Sequence, residues 1–126
     1  MRPACILLLL GVVLAGGCAK TMKLSTDTNT MIENPSKKQI RAVLIDVASR
    51  PADGFVIVGE SEMTYMQAAG DTEKRFWIEH QEGSLARHFH AESRISIEET
   101  TEILASYARK GGEWKSATKW IPDPVR

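Results

Sequence analysis

Gly54-Phe55-Val56-Ile57-Val58-Gly59-Glu60, followed by Met63-Thr64-Tyr65-Met66-Gln67-Ala68-Ala69, opens the stretch that decides the fold. Both runs are rich in β-branched, aromatic and apolar residues, and Gly59 to Met63 can turn between them. Gly70-Asp71-Thr72 then breaks the chain before residues 75–81, which contain Phe76-Trp77-Ile78. Gly83-Ser84 separates that run from residues 86–92, with Arg87-His88-Phe89-His90 at their centre. Connections this short require antiparallel neighbours. The stretch therefore predicts a four-stranded meander.

Helices flank it. Asn34-Pro35 reads as a helix start, since Asn can cap and Pro suits the first helical position. Ile40, Val43, Leu44 and Val47 follow at helical spacing, while Lys37, Lys38, Arg41 and Asp46 face elsewhere. Pro51 and Gly54 stop this helix. On the far side, Ser96-Ile97-Glu98-Glu99 is a capping box. Glu98, Glu99 and Glu102 lie early in the second helix and Arg109 and Lys110 late, as the helix dipole favours. Ile97, Leu104, Tyr107 and Ala108 form its apolar stripe, and Gly111-Gly112 ends it. The expected order is α-β-β-β-β-α, an α+β domain over residues 35–126 with both helices on one sheet face. Trp114 and Trp120, six residues apart near the terminus, read as a lock that packs the tail onto the core.

The first 18 residues carry a different message. Arg2 precedes Ile6-Leu7-Leu8-Leu9-Leu10-Gly11-Val12-Val13-Leu14, and Ala15-Gly16-Gly17 leads to Cys18. A charged start, an apolar stretch and a small-residue exit make an export signal. The apolar stretch is well short of the ~20 residues a spanning helix needs. With Cys at the junction, residues 1–17 resemble the signal peptide of a bacterial lipoprotein. That resemblance implies that Cys18 becomes the first residue, carries diacylglycerol on its sulfur and is acylated on its amine. The family prefers Leu three positions before the Cys, whereas this chain has Ala15 there. Ala15 and Gly17 also suit an ordinary signal peptidase, which would leave a secreted protein. Ala19 follows Cys18 where an Asp would favour the inner membrane. The resemblance thus implies an outer-membrane anchor facing the periplasm in a Gram-negative host. Residues 18–34 read as the lipidated Cys and a polar tether, with a reach of roughly 20–25 Å. Cys5 departs with the signal peptide, so no disulfide supports the domain.

Sixteen basic residues balance sixteen acidic ones, for a formal net charge of zero. Without a basic excess or a block of one sign, nucleic acid is not an expected partner. There is no Gly-x-Ser-x-Gly, no catalytic Cys left after processing and no clustered glycine loop for phosphate. A non-enzymatic protein without a cofactor is the expectation.

All three histidines flank Gly83-Ser84. If those two residues form the loop, Ile78 pairs with Phe89 and Phe76 with Ala91, giving one apolar face. Glu79 then lies opposite His88 and Trp77 opposite His90 on the other face, while His80 lies opposite Arg87. His88, His90 and Glu79 form the best metal candidate, because zinc accepts imidazole and carboxylate. The alternative is a solvated face with an ordinary Glu79–His88 pair. Val56, Val58, Met63, Tyr65 and Trp77 are expected to share an apolar sheet surface. Either the tail with Trp114 and Trp120 covers it, or a protein partner does. Tyr65, Trp77, Trp114 and Trp120 are accordingly the candidate partner-binding residues.

Tyr65-Met66-Gln67-Ala68-Ala69-Gly70, Glu79-His80-Gln81-Glu82-Gly83-Ser84, His88-Phe89-His90-Ala91 and the Trp114/Trp120 pair loosely resemble small uncharacterised bacterial α+β modules. Some of those look like immunity proteins for secreted toxins. The first expectation is a membrane-anchored envelope lipoprotein whose domain binds a protein. A toxin-neutralising immunity protein, and a metal- or small-ligand-binding module, are the alternatives.

Overall fold

A computed structural model describes residues 21–50 and 53–124. Residues 1–17 and Cys18 lie outside the described residues. Seven strands form one antiparallel sheet: β1 (Lys23–Thr26), β2 (Met31–Glu33), β3 (Phe55–Gly59), β4 (Thr64–Gly70), β5 (Phe76–Glu82), β6 (His88–Ala91) and β7 (Trp120–Pro122). Their order across the sheet is β2-β1-β3-β4-β5-β6-β7. Helices α1 (Lys37–Ala48) and α2 (Ile97–Ala108) pack on each other and on one face of that sheet. Short 3-10 turns occupy Leu85–Arg87 and Glu113–Lys115.

This overturns the expected helix, four-strand meander, helix arrangement. The meander is present as β3 to β6, but it is the middle of a larger sheet. The β1–β2 hairpin comes from residues 23–33, which the polar composition had assigned to a tether. Leu24 pairs with Ile32 on one side and Val58 on the other, and is fully buried. Met22, also buried, donates its N–H to Asn34 Oδ1 at 3.2 Å, while Asn34 N donates to the Met22 carbonyl at 2.6 Å. At the other edge, the tail supplies β7, where Pro122 is tolerated because an outer strand has one side without ladder partners.

The α1 start also differs. Ser36 is the cap, and its hydroxyl accepts from Gln39 N while the Gln39 side chain accepts from Ser36 N. Asn34 instead takes a left-handed turn (φ 46°) that brings the chain from β2 to α1. For α2, Ser96 and Glu99 form the capping box that their spacing predicts. Its C-terminus closes with Gly111 N on the Ser106 carbonyl and Lys110 N on the Tyr107 carbonyl, a Schellman motif. Lys110 takes the left-handed position (φ 63°) that glycine commonly fills, and Gly111 follows it.

The inward face collects Leu24, Val56, Val58, Met66, Ala68, Phe76, Ile78 and Ala91 against Ile40, Leu44, Val47, Ile103 and Leu104. Val56 and Val58 are therefore core residues and do not share a surface with Tyr65. The register decides it: Val58 pairs with Met66 and Val56 with Ala68, so Tyr65 pairs with Gly59 on the opposite face. Gly59 is required there, because an added Cβ would meet Thr64 O and Tyr65 Cβ at 2.7 Å.

Asp27 holds the β1–β2 turn to the rest of the fold. Arg50, just past α1, donates to it through Nη1 at 2.6 Å and Nη2 at 3.1 Å, and Phe55 N donates at 3.1 Å. Burial alone would raise the Asp27 carboxyl, but these hydrogen bonds together hold it below its usual value. Asp27→Ala should cost about 1–3 kcal/mol in chemical denaturation at neutral pH, since it strands the Phe55 N–H and leaves the Arg50 guanidinium only its 3.4 Å contact with Asp46. A change of only a few tenths would show that the turn carries no such clamp.

Candidate functional site

Among the described residues no helix covers the second sheet face, and its side chains alternate with the core set as the pleat requires. β5 and β6 pair Glu79 with His90, His80 with Phe89 and Gln81 with His88. The expected two-residue loop is corrected to a longer one, with a 3-10 turn at Leu85–Arg87 after Gly83 (φ 85°). The pairing thereby slides by two positions. An even slip leaves every side chain on its expected face but changes its neighbour.

The slide, together with β7, builds a four-residue cluster. Asp123 receives His88 Nδ1 on one carboxylate oxygen at 2.6 Å and His90 Nδ1 on the other at 2.7 Å. His88 Nε2 lies 3.0 Å from Glu79 Oε1. Asp123 N also donates to the His88 carbonyl at 2.9 Å. The His88 hydrogen bond leads in holding the Asp123 carboxyl below its ordinary value, with burial opposing and His90 adding to it.

His88, His90 and Glu79, the residues expected to bind zinc, are thus brought together, but around Asp123. Both Nδ1 atoms aim at that carboxylate and do not converge on a shared vacant point. Among the described residues, no group of three or more His, Cys, Asp or Glu side chains is arranged to hold a metal ion. In this arrangement the cluster fastens the terminal strand to β6. Asp123 had no signal in the sequence, since it lies more than thirty residues from the histidines and meets them only through β6–β7 pairing.

Tyr65 and Trp77 lie on this open face, Tyr65 half-buried and Trp77 53 % exposed. Burial, then Glu79, pushes the Tyr65 phenol up. Met31, Ile57, Tyr65 and Gln67 line an open groove of about 550 Å³ that ends at the Glu60–Glu62 turn. At the far end of the face the Arg94 guanidinium lies 5.8 Å from the Trp77 ring centre. Arg94 is itself held by Asp71 at 2.6 Å and Glu73 at 2.8 Å.

Trp114 and Trp120 are elsewhere. They sit on the helix-covered side, where His80 is caged by aromatic rings. Its ring stacks on Phe89 at 4.9 Å and meets Trp114 and Trp120 edge-on at 4.8 and 4.5 Å. Trp120 Nε1 donates to the Trp114 carbonyl, and Trp114 packs on Tyr107. The two tryptophans therefore lock the tail over the core and leave the opposite face open. His80 is 3 % exposed, faces Phe89 where Arg87 had been expected, and its Nδ1 has no hydrogen-bond partner. Burial lowers its pKa, against a smaller upward pull from Glu82, 3.4 Å away, with His88 also lowering it.

Two outcomes follow from these environments. Because the folded His80 pKa is depressed, the unfolded chain binds the extra proton first, and stability falls as pH drops below about 6.5. His80→Phe removes that dependence, so denaturant midpoints should shift in favour of the variant between pH 7.5 and 5.5. A pH-independent gap between the two proteins would refute the buried-neutral assignment. Asp123→Ala should weaken β7 alone, accelerating exchange of its amides about 5- to 30-fold at neutral pH, the equivalent of roughly 1–2 kcal/mol. In the unmutated protein the Asp123 contribution is present above the ordinary aspartate range and is lost as pH falls through the lower folded value. Uniform acceleration across β3 to β5 would count against a local clasp.

No protein-family model matches the chain, and neither a curated protein nor a solved structure resembles it closely enough to count as a match.

Proposed function

We propose that this chain is a cell-envelope lipoprotein, anchored through acylated Cys18, whose domain is a non-enzymatic module that docks a protein on its open sheet face. One observation carries the docking half. Among the described residues the seven-stranded sheet has helices on one side only, and the uncovered side presents Trp77, Tyr65, Ile57 and Met31 with polar groups between them. Aromatic side chains spaced among polar ones on a rigid surface are what protein interfaces use as anchors. The histidines of this face are occupied by Glu79 and Asp123, and among the described residues no hydroxyl is hydrogen-bonded to a histidine. That favours binding over nucleophilic chemistry. The anchoring half rests on the signal-peptide pattern that ends at Cys18. Among the described residues no helix is long and apolar enough to cross a membrane.

Cys18→Ser should move the protein from the membrane fraction to the soluble fraction and remove the acyl mass from the intact chain. A photo-crosslinking residue at Trp77 or Tyr65 should trap one discrete partner in intact cells, while the same residue at Lys38, on the exposed side of α1, should not. Identical patterns from all three positions would sink the docking surface.

A further inference from the structure

The structure changes the length of the anchor. With residues 23–33 paired in the sheet and Met22 buried, only Ala19, Lys20 and Thr21 separate Cys18 from the folded domain. Whatever its conformation, chain of that length spans at most about 14 Å. The acylated sulfur sits at the boundary between hydrocarbon and headgroups, and the headgroup layer takes up about 5–7 Å of that reach. The remaining slack is smaller than the domain. One particular end of the domain must therefore lie against the bilayer.

The sheet register identifies that end. Lys23 pairs with Gly59, after which the chain turns through residues 60–63. Thr64 pairs with Glu82, after which it turns through residues 83–87. Both turns thus lie at the end where β1 begins, and Gly83 N donates to the Met63 carbonyl at 2.9 Å, joining them. Each presents an apolar side chain to solvent: Met63 is 42 % exposed and Leu85 69 %. Thr72, in the β4–β5 turn, lies at the other end of a seven-residue strand, about 23 Å further away.

The geometry points to this end, with Met63 and Leu85 at the tips of two joined turns, as a bilayer-contact surface that seats the domain on the lipid headgroups beside its own anchor. The inference rests on the lipoprotein reading of Cys18. Charge is not the driving force. Arg87 pairs with Glu82 at 2.7 Å and Lys110 with Glu60 at 3.9 Å, and exposed Glu62 flanks Met63, so the surface offers apolar side chains and no basic excess to attract anionic lipid. The energy needed is small, because the anchor has already removed the entropic cost of finding the membrane. The open sheet face then stands at an angle to the membrane, with Trp77 and Arg94 at its distal end.

The test uses the full-length chain processed in cells, purified and reconstituted into neutral phosphatidylcholine vesicles. Acylation consumes the Cys18 thiol and processing removes Cys5, so Leu85→Cys, Met63→Cys and Thr72→Cys each provide a single site for a nitroxide label. Thermal melts of the labelled proteins should match that of the unlabelled protein, as all three positions are in turns. The ratio of collisions with oxygen to collisions with a water-soluble nickel chelate should rise several-fold at positions 85 and 63 relative to 72. Equal ratios at the three positions, on protein whose mass shows the acyl chains, would overturn this inference and leave the lipoprotein reading standing. Shielding of position 85 from both reagents would place a second copy there and likewise overturn it. Absence of acyl mass at Cys18 would overturn both.

Discussion

Covering one face of a wide sheet with two short helices is the constraint on which the remaining structure depends. Seven strands at ~4.8 Å spacing put the outer strand axes roughly 29 Å apart. Helices α1 and α2, each about 10 Å across, cover about 20 Å of that width. A margin of inward-facing apolar surface is left at each side, and in a domain without disulfides it must be covered by packing. At the β1–β2 side Met22 and Ile32 close it, with Pro35 buried nearby. At the β6–β7 side the work falls to Trp114 and Trp120, which meet the His80 ring edge-on, and to Tyr107, which packs on Trp114. Large rings suit the task because each covers more area than an aliphatic side chain for few rotatable bonds. The same closure explains why a histidine is tolerated inside: its ring packs as an aromatic, and burial keeps it neutral.

The other face has no such cover among the described residues, and its organisation is correspondingly polar where strands need fastening and apolar where they do not. Asp123 clasps β7 to β6 through two imidazoles, and Asp71 and Glu73 hold Arg94 near Trp77. The groove beside Tyr65 and Ile57 lies on the other half of that face, over the first four strands of the sheet order. A surface whose side chains are already held by neighbours loses little freedom on binding, which is what a docking face requires.

The N-terminal hairpin links these two aspects to location. By drawing residues 23–33 into the sheet, the fold converts a reach of tens of ångströms into one of about 14 Å. An anchored domain then has little freedom to turn over, and the orientation of its open face relative to the membrane becomes a property of the fold. The Asp27–Arg50 pair ties that hairpin to α1 and β3, and in a lipid-anchored domain, as proposed, it would contribute to orientation as well as to stability.

Residues with strong local signals were legible in the chain itself. The Ser96–Glu99 box starts α2, the apolar period of Ile40, Val43, Leu44 and Val47 marks α1, and the alternation in residues 55–91 marks β3 to β6. The pleat's period of two also placed Trp77, Glu79, His88 and His90 on one face despite a slipped register. By itself, then, the sequence determined the central meander, both helices and the shared face of His88 and His90, because helical and strand periodicity are local properties of consecutive residues. Tertiary structure alone decided the rest: that Leu24 and Ile32 are strand residues, that Trp120 to Pro122 closes the sheet, that Val56 and Val58 are core, and that Asp123 meets His88 and His90. Strands of three or four residues have no period long enough to read, and gain their free energy only from the neighbour they pair with. What that neighbour is depends on chain segments far apart in sequence, and so does the distance between Cys18 and the domain it would anchor.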